Sequence, residues 1–374
     1  MADLAERIDP SATMTDAAEA RLDRMLEAAT AAGLDAALIT SDESIAYLTG
    51  FKPMQLERFF GVVVRPDRSA VIVPALDRGQ IDGAPERLDR ISYGAESDGI
   101  PQLAEALAGA TKVGVEEDHI IYARTSALER HGFELAAASG LVMGLRVQKD
   151  AAEIERIRVA CELVQEGLRR AFEWLVPGVV EQALNARVES FLREQGATDA
   201  HPLILFGENA ANPHGNPGPR ELKNGDVVCA DLSACLDGYW GDLTRCATVG
   251  PASDWAKKTW QVVFDAQQAA NAAAQPGASG RDVDAAQRKI IEAASDLGAC
   301  LHGAGHAIGL SIHEPPFLVP RWTDPLPEGA VLTIEPGLYK AGVGGIRLED
   351  DVVVRPGGPE ILSNLPLELT EVGA

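Results

Sequence analysis

Positive charge is what this chain has least of. Lysine occurs eight times and arginine 25 times, against 56 Asp and Glu, which leaves a formal net charge of −23. A surface this acidic repels phosphate backbones and anionic headgroups, so neither nucleic acid nor a membrane is expected as a partner. Long apolar runs are missing as well, and none reaches the ~20 residues that cross a bilayer. The opening segment, residues 1–13, is acidic and polar, without the basic start or apolar stretch of a signal peptide. These absences make the cytoplasm the expected compartment. Cysteine is sparse and odd in number: Cys161, Cys229, Cys235, Cys246 and Cys300, with no pair at Cys-x-x-Cys spacing. That argues against a disulfide framework and for reduced, mostly buried thiols.

What is present is enough apolar material for more than one core. The chain has 374 residues and is 46% hydrophobic, a composition and length that suit two domains. Residues 15–33 carry apolar side chains at helical spacing (Ala18, Leu22, Met25, Leu26 and Ala29), with Gly33 as the stop. Ala36–Thr40 reads as a buried strand, and strands at 61–64 and 70–73 flank a Pro66-Asp67-Arg68 turn. Another strand covers 111–115, so helices and strands alternate as in an α/β layer. From Asp150 the pattern changes to a helix with Ile154, Ile157, Ala160, Val164 and Leu168 on one face. A second helix runs over 181–195, a further pair covers 254–274 and 280–297, and 302–369 is β-rich. The expected domains are therefore 1–147 and 148–374. One echo stands out. Gly225 to Asp231 and Gly329 to Glu335 each read glycine, apolar strand, carboxylate, with six positions from first to last. Two related β-halves that each deliver a carboxylate from a strand would produce this pattern, as would chance.

Several acids and histidines fall where chemistry can use them. Asp237-Gly238 is a hairpin turn signal between strands at 227–232 and 239–249. With a two-residue turn, Asp231 faces Thr244, and Asp242 becomes its diagonal neighbour on the same face, about 7–8 Å away. Three of the seven histidines lie within twelve residues, His302, His306 and His313, among glycines that permit close approach. Glu335 ends an apolar strand before a Pro336-Gly337 turn, and Glu349 reads as lying inside an apolar strand, with Arg347 on its face. A carboxylate at a buried strand position is costly unless it is paired or binds metal. Four carboxylates and a histidine form a sensible ligand set for two divalent cations.

These segments resemble metallopeptidase family M24, whose members include Xaa-Pro dipeptidase (prolidase), aminopeptidase P and methionine aminopeptidase. The residues that carry the resemblance are Asp231 and Asp242, Gly305-His306 with His313-Glu314, Glu335-Pro336-Gly337, and Gly345-Ile346-Arg347-Leu348-Glu349. Ser44 to Phe51 resembles the start of a creatinase/prolidase N-terminal domain, and Arg146 to Lys149 with Glu153-Ile154 resembles the linker that follows it. This N-terminal domain favours the prolidase and aminopeptidase P branch. The resemblance implies an α/β N-terminal domain followed by an α+β pita-bread catalytic domain with pseudo-two-fold β-halves.

It also implies roles. Asp231 would chelate the first metal, Asp242 and Glu349 would bridge both, and His306 and Glu335 would complete the second. A metal-bridging hydroxide would attack the carbonyl of the bond preceding proline, with Glu335 as proton shuttle. His214 matches an outer histidine near the scissile bond, and His313 a second one that steadies the tetrahedral intermediate. His302 would support the ligands, and Arg347 would orient a bridging carboxylate. Arg321 could grip the free carboxylate of a dipeptide, or be an exposed loop residue. Carboxylate-rich ligation leans toward manganese, with cobalt, iron and zinc as alternatives. The implied partners are small proline-containing peptides and a second copy of the chain in a homodimer. Competing readings are a non-peptide C–N hydrolase of creatinase or ectoine-hydrolase type on the same fold, and a non-catalytic member that binds protein partners.

Overall fold

The computed structural model describes residues 14–373. The acidic opening segment 1–13, on which the expectation about a signal peptide was based, lies outside the described residues. The described chain divides into two compact units between Arg146 and Val147.

The N-terminal unit is a mixed α/β layer. In chain order it comprises α1 (Met14–Ala31), β1 (Ala36–Ile39), α2 (Asp42–Thr49), β2 (Gly61–Val64), β3 (Ser69–Pro74), β4 (Leu88–Tyr93), α3 (Ile100–Ala106), β5 (Lys112–Val115), α4 (Tyr122–Arg130), β6 (Glu134–Ala137) and α5 (Ser139–Val147). The strands form one sheet in the order β4-β3-β2-β1-β5-β6. β2 pairs antiparallel with both β1 and β3, and the outer pairings are parallel. Ala18, Leu22, Met25 and Ala29 of α1 are buried, as the helical spacing requires, and Gly33 takes the left-handed conformation after the helix (φ 69).

The second unit begins with two helices, α6 (Ala151–Glu173) and α7 (Glu181–Glu194). Asp150 caps α6 through a capping box with Glu153, which satisfies amides that otherwise have no partner at the helix start. Three long strands follow: β7 (Asp199–Phe206), β8 (Val227–Leu236) and β9 (Tyr239–Val249). A second helix pair comes next, α8 (Asp254–Ala273) and α9 (Gly280–Glu292), capped by Ser253 and by a Ser279/Asp282 capping box. The sequence pattern extended α9 to residue 297. The helix ends at Glu292 instead, and 293–297 form turns. The remaining strands are β10 (Gly305–Ala307), β11 (Glu314–Leu318), β12 (Val331–Ile334), β13 (Gly337–Lys340), β14 (Gly344–Arg347), β15 (Asp350–Val353), β16 (Glu360–Ile361) and β17 (Thr370–Val372). They complete sheets β17-β9-β8-β7 and β11-β10-β12-β15-β16, plus the pair β13-β14.

The Gly225 and Gly329 echo is structural. Both glycines are left-handed (φ 87 and 84), and each is separated from the following strand by one residue. The Gly225 N–H donates to the Val249 carbonyl and the Gly329 N–H to the Val354 carbonyl. Val227 then pairs with Thr248 and Val331 with Val353. Counting along both ribbons, Asp231 opposite Thr244 corresponds to Glu335 opposite Glu349. The second ribbon breaks there. Its ladder resumes at Gly337↔Arg347, in the separate β13-β14 pair, so Ser233↔Asp242 corresponds to Gly337↔Arg347. Pro336-Gly337 is thus a link between two ladders and not a turn. Glu349 sits in the gap between β14 and β15, not inside a strand.

A buried ion pair anchors the start of this unit. Lys149 Nζ lies 2.7 Å from Glu314 Oε1, and the two side chains are 1% and 2% exposed. Gly309 packs against both, where a Cβ would stand 2.7 Å from Glu314 Oε1. Removing only one charge leaves the other buried without its ion-pair partner. Lys149→Met is expected to destabilise this unit by ~3–5 kcal/mol in urea titration, and the apolar pair Lys149→Met/Glu314→Leu to recover most of that loss. A single variant as stable as the parent contradicts the assignment.

Candidate metal centre

The first two acids come from the β8-β9 hairpin. Its turn holds Asp237 and Gly238 at positive φ (48 and 81), a two-residue turn that sets the register. Asp231 faces Thr244, and Asp242 faces Ser233 on the same side. Gly241 lets β9 lie against α6, since a Cβ there would come within 2.5 Å of the Cys161 backbone nitrogen. The Asp242 N–H donates to Asp351 Oδ2 (3.0 Å), which also accepts from the Cys161 thiol (3.0 Å).

The second ribbon adds Glu335 and Glu349, and β10 adds His306. Gly305 makes the approach of β10 possible, because a Cβ there would stand 2.1 Å from the Thr333 carbonyl oxygen. His306 Nδ1 lies 3.1 Å from the Ala307 carbonyl, which can only accept. The ring proton therefore belongs on Nδ1, leaving the Nε2 lone pair toward Glu335 Oε1 at 3.6 Å.

Possible ligand atoms converge in three overlapping sets, each within 4.8 Å: Asp231, Asp242 and Glu349; His306, Glu335 and Glu349; and Asp242, His306 and His313. Asp242, Glu349 and His306 each belong to two sets, and of these three only the carboxylates Asp242 and Glu349 have two oxygens with which to bridge two ions. Asp242, His306 and Glu349 are buried, Asp231 and Glu335 half-buried. Burial and the neighbouring carboxylates Glu349 and Asp231 push the Asp242 carboxyl well up. Burial and Glu335 do the same to Glu349, and burial raises Glu335 to about 7 despite the opposing Arg347. Asp242 Oδ1 is buried with no hydrogen-bond partner. Buried carboxylates crowded together with an unpartnered oxygen fit divalent cations well. Burial, reinforced by His313, lowers His306 to about 3, so its imidazole is neutral and free to ligate.

The remaining predicted residues surround this cluster to different degrees. Arg347 is buried and donates directly to Asp231, the acid expected on one metal only. It reaches Glu349 through Thr244: Arg347 Nε donates to Thr244 Oγ1 (3.0 Å), which donates to Glu349 Oε2 (2.6 Å). Its expected contact with a bridging carboxylate is therefore indirect, because Glu349 has left the strand face that Arg347 occupies. His302 does not join the ligand sets. Its Nε2 accepts from the Tyr339 hydroxyl (2.7 Å), whose oxygen in turn accepts from Arg347 (2.8 Å). Burial, then Arg347, lowers His302 to about 4.

His313 is exposed, with its ring centroid 4.0 Å from that of His306. His214 is also exposed, and its charge bears on both His302 and His313. The loop that carries His214 is clamped at both ends by Glu181, which accepts from the Phe206 N–H (2.7 Å), Asn209 Nδ2 (3.0 Å) and the Gly218 N–H (2.9 Å). Arg321 is exposed in the turn beyond β11 and has no hydrogen bond or ion pair among the described residues. Sequence reasoning missed Thr244, Tyr339, Asp351 and Glu181. The Thr244 position facing Asp231 was the one available signal.

The raised carboxyls give a pH signature. Each binds its proton more tightly in the folded chain than in the unfolded one. The stability they contribute is whole below the ordinary carboxyl range and is lost as pH climbs through their raised values, about 7 for Glu335. Bound cations remove this loss. The melting temperature of chelator-stripped protein is expected to fall relative to cation-loaded protein from about pH 5 to about pH 8, and Glu335→Gln to flatten part of that trend. A gap independent of pH contradicts the account.

Comparison with known proteins agrees with this geometry. Residues 155–356 match the profile of metallopeptidase family M24, and residues 21–148 that of the creatinase/prolidase N-terminal domain. A Bacillus subtilis (strain 168) protein named "Putative dipeptidase YkvY" is 33% identical over 347 residues, covering 90% of this chain and 96% of its own. An Xaa-Pro dipeptidase from Bacillus anthracis superposes with a TM-score of 0.89 at 30% identity, over 95% of this chain and all of its own. The prolidase from Pyrococcus horikoshii OT3 gives 0.87 at 26% identity, over 94% of this chain and 99% of its own. With its two ribbons contributing carboxylates to one cluster in a pita-bread catalytic domain that follows a creatinase/prolidase-type N-terminal domain in the chain, this protein belongs to metallopeptidase family M24.

Proposed function

We propose that this metallopeptidase hydrolyses the peptide bond preceding proline, as an Xaa-Pro dipeptidase or aminopeptidase, and that it binds two divalent cations, manganese first among them. Asp231, Asp242, His306, Glu335 and Glu349 would hold the cations. The observation that carries this reading is the sharing of Asp242 and Glu349 between ligand sets. The names of the dipeptidase and prolidase structures it resembles support the substrate class.

When bound, such a cation pair supplies an activated solvent nucleophile at neutral pH and polarises the scissile carbonyl. The protein's own groups do the rest. Glu335 is half-buried at the edge of the cluster, and as a carboxylate it would accept a proton from the attacking water and pass it to the leaving proline nitrogen. His313 and His214, on the exposed side, face the substrate and donate to the oxygen that gains charge in the tetrahedral intermediate. Arg347 fixes Asp231 and, through Thr244, Glu349. The net charge of −23 suits a cytoplasmic enzyme that takes small peptides and leaves nucleic acid and membranes alone. Among the described residues no helix is long and apolar enough to cross a membrane. A homodimer completes this reading.

The test is a parallel assay of Ala-Pro, Xaa-Pro-Xaa tripeptides and small cyclic amidines, with and without manganese. Manganese-dependent cleavage before proline is expected, with the ratio of dipeptide to tripeptide rates setting the chain-length class. His313→Ala is expected to lower kcat by roughly 100-fold or more with bound metal unchanged. Cleavage of amidines alone, or of peptides without regard to proline, overturns the proposal.

A further inference from the structure

Glu349 is one of the two acids shared between ligand sets, yet no sheet holds it. Leu348 and Glu349 lie in the gap where β14 ends and β15 begins, between two different sheets. β9 holds the backbone of Glu349 instead. The Glu349 N–H donates to the Thr244 carbonyl (3.2 Å), and the Glu349 carbonyl accepts from Arg245 Nη1 (2.6 Å).

Arg245 is 3% exposed and has all five of its N–H donors engaged. Nε donates to the Pro366 carbonyl (2.9 Å), Nη1 to the Thr244 carbonyl (3.0 Å) as well as to the Glu349 carbonyl, and Nη2 to Asp350 Oδ1 (2.6 Å) and the Leu365 carbonyl (3.0 Å). Asp350 is fixed in turn, with Oδ1 accepting from the Ser363 hydroxyl and Oδ2 from Gln267 Nε2 on α8 (3.0 Å). One guanidinium therefore ties residues 349 and 350 to β9, and through Asp350 to α8 and the C-terminal segment. No other side chain donates to the Glu349 carbonyl among the described residues. Glu349 itself points into a space shared with three other carboxylates, whose repulsion favours its withdrawal.

We propose that Arg245 is a positioning residue for Glu349: its fork holds the 349–350 backbone so that the Glu349 carboxylate stays between the two ligand sets, and this sets the affinity for divalent cations. The inference rests on the reading of Glu349 as a shared metal ligand. A lysine at this position keeps the charge but loses the planar fork, and cannot serve the Glu349 carbonyl, Asp350 and the C-terminal carbonyls at once.

The experiment titrates manganese into chelator-stripped full-length protein by calorimetry, alongside the melting temperature of the metal-free form. Arg245→Lys is expected to bind manganese about 10–100-fold more weakly, the range for groups that orient ligands, while the metal-free form still folds. Asp350→Asn loosens the same guanidinium without removing it and is expected to shift affinity in the same direction by less. It decides the matter if Arg245→Lys does not fold. Because Arg245 acts through Glu349, adding Arg245→Lys to Glu349→Gln is expected to weaken binding no further. Parental protein that binds no divalent cation overturns the metal reading and this inference with it. Parental protein that binds manganese while Arg245→Lys or Asp350→Asn bind as tightly overturns this inference alone. A full additional loss on the Glu349→Gln background also overturns it.

Discussion

Four carboxylates crowded into a largely buried space are the constraint on which the rest of this catalytic domain depends. Asp231, Asp242, Glu335 and Glu349 repel one another, and burial strengthens that repulsion. Protonation relieves it at acid pH, and divalent cations relieve it near neutrality. Much of the surrounding architecture serves to keep these groups together. Arg347 places positive charge on Asp231, Thr244 bonds Glu349, and Asp351 fixes the Asp242 backbone.

The fold achieves this convergence by duplication. Two strand ribbons each start at a left-handed glycine, and each presents a carboxylate six positions later. Corresponding positions meet across the site: Thr244 and Glu349 occupy equivalent rungs and are hydrogen-bonded to each other. Asp242 and Arg347 are likewise equivalent in register, yet one is an acid and the other a base. This difference makes the duplicated frame an asymmetric site. The first ribbon supplies Asp242 to the cluster, and the second supplies the guanidinium that neutralises part of it. The second ribbon is also broken, and the break frees Glu349 from the pleat so that it can reach both ligand sets.

The parts legible in the sequence were those that follow from local geometry. The Asp237-Gly238 turn fixed the parity that puts Asp231 and Asp242 on one face, and the glycine-strand-acid echo pointed to paired halves. Helical spacing identified the buried faces of α1 and α6. What could not be read depends on contacts between distant segments. Glu349 looked like a strand residue because apolar neighbours surround it, and only the change of sheet between β14 and β15 shows otherwise. Arg245, Tyr339 and Glu181 carry no local signature, since each draws its meaning from residues far along the chain.

The central claim is that two cations occupy the space these side chains enclose. Anomalous diffraction from manganese-loaded crystals measures this directly. The account predicts two peaks a few ångströms apart, both within ligand distance of Asp242 and Glu349 carboxylate oxygens, with Asp231 on one and His306 and Glu335 on the other. A single peak, or peaks away from these residues, contradicts it.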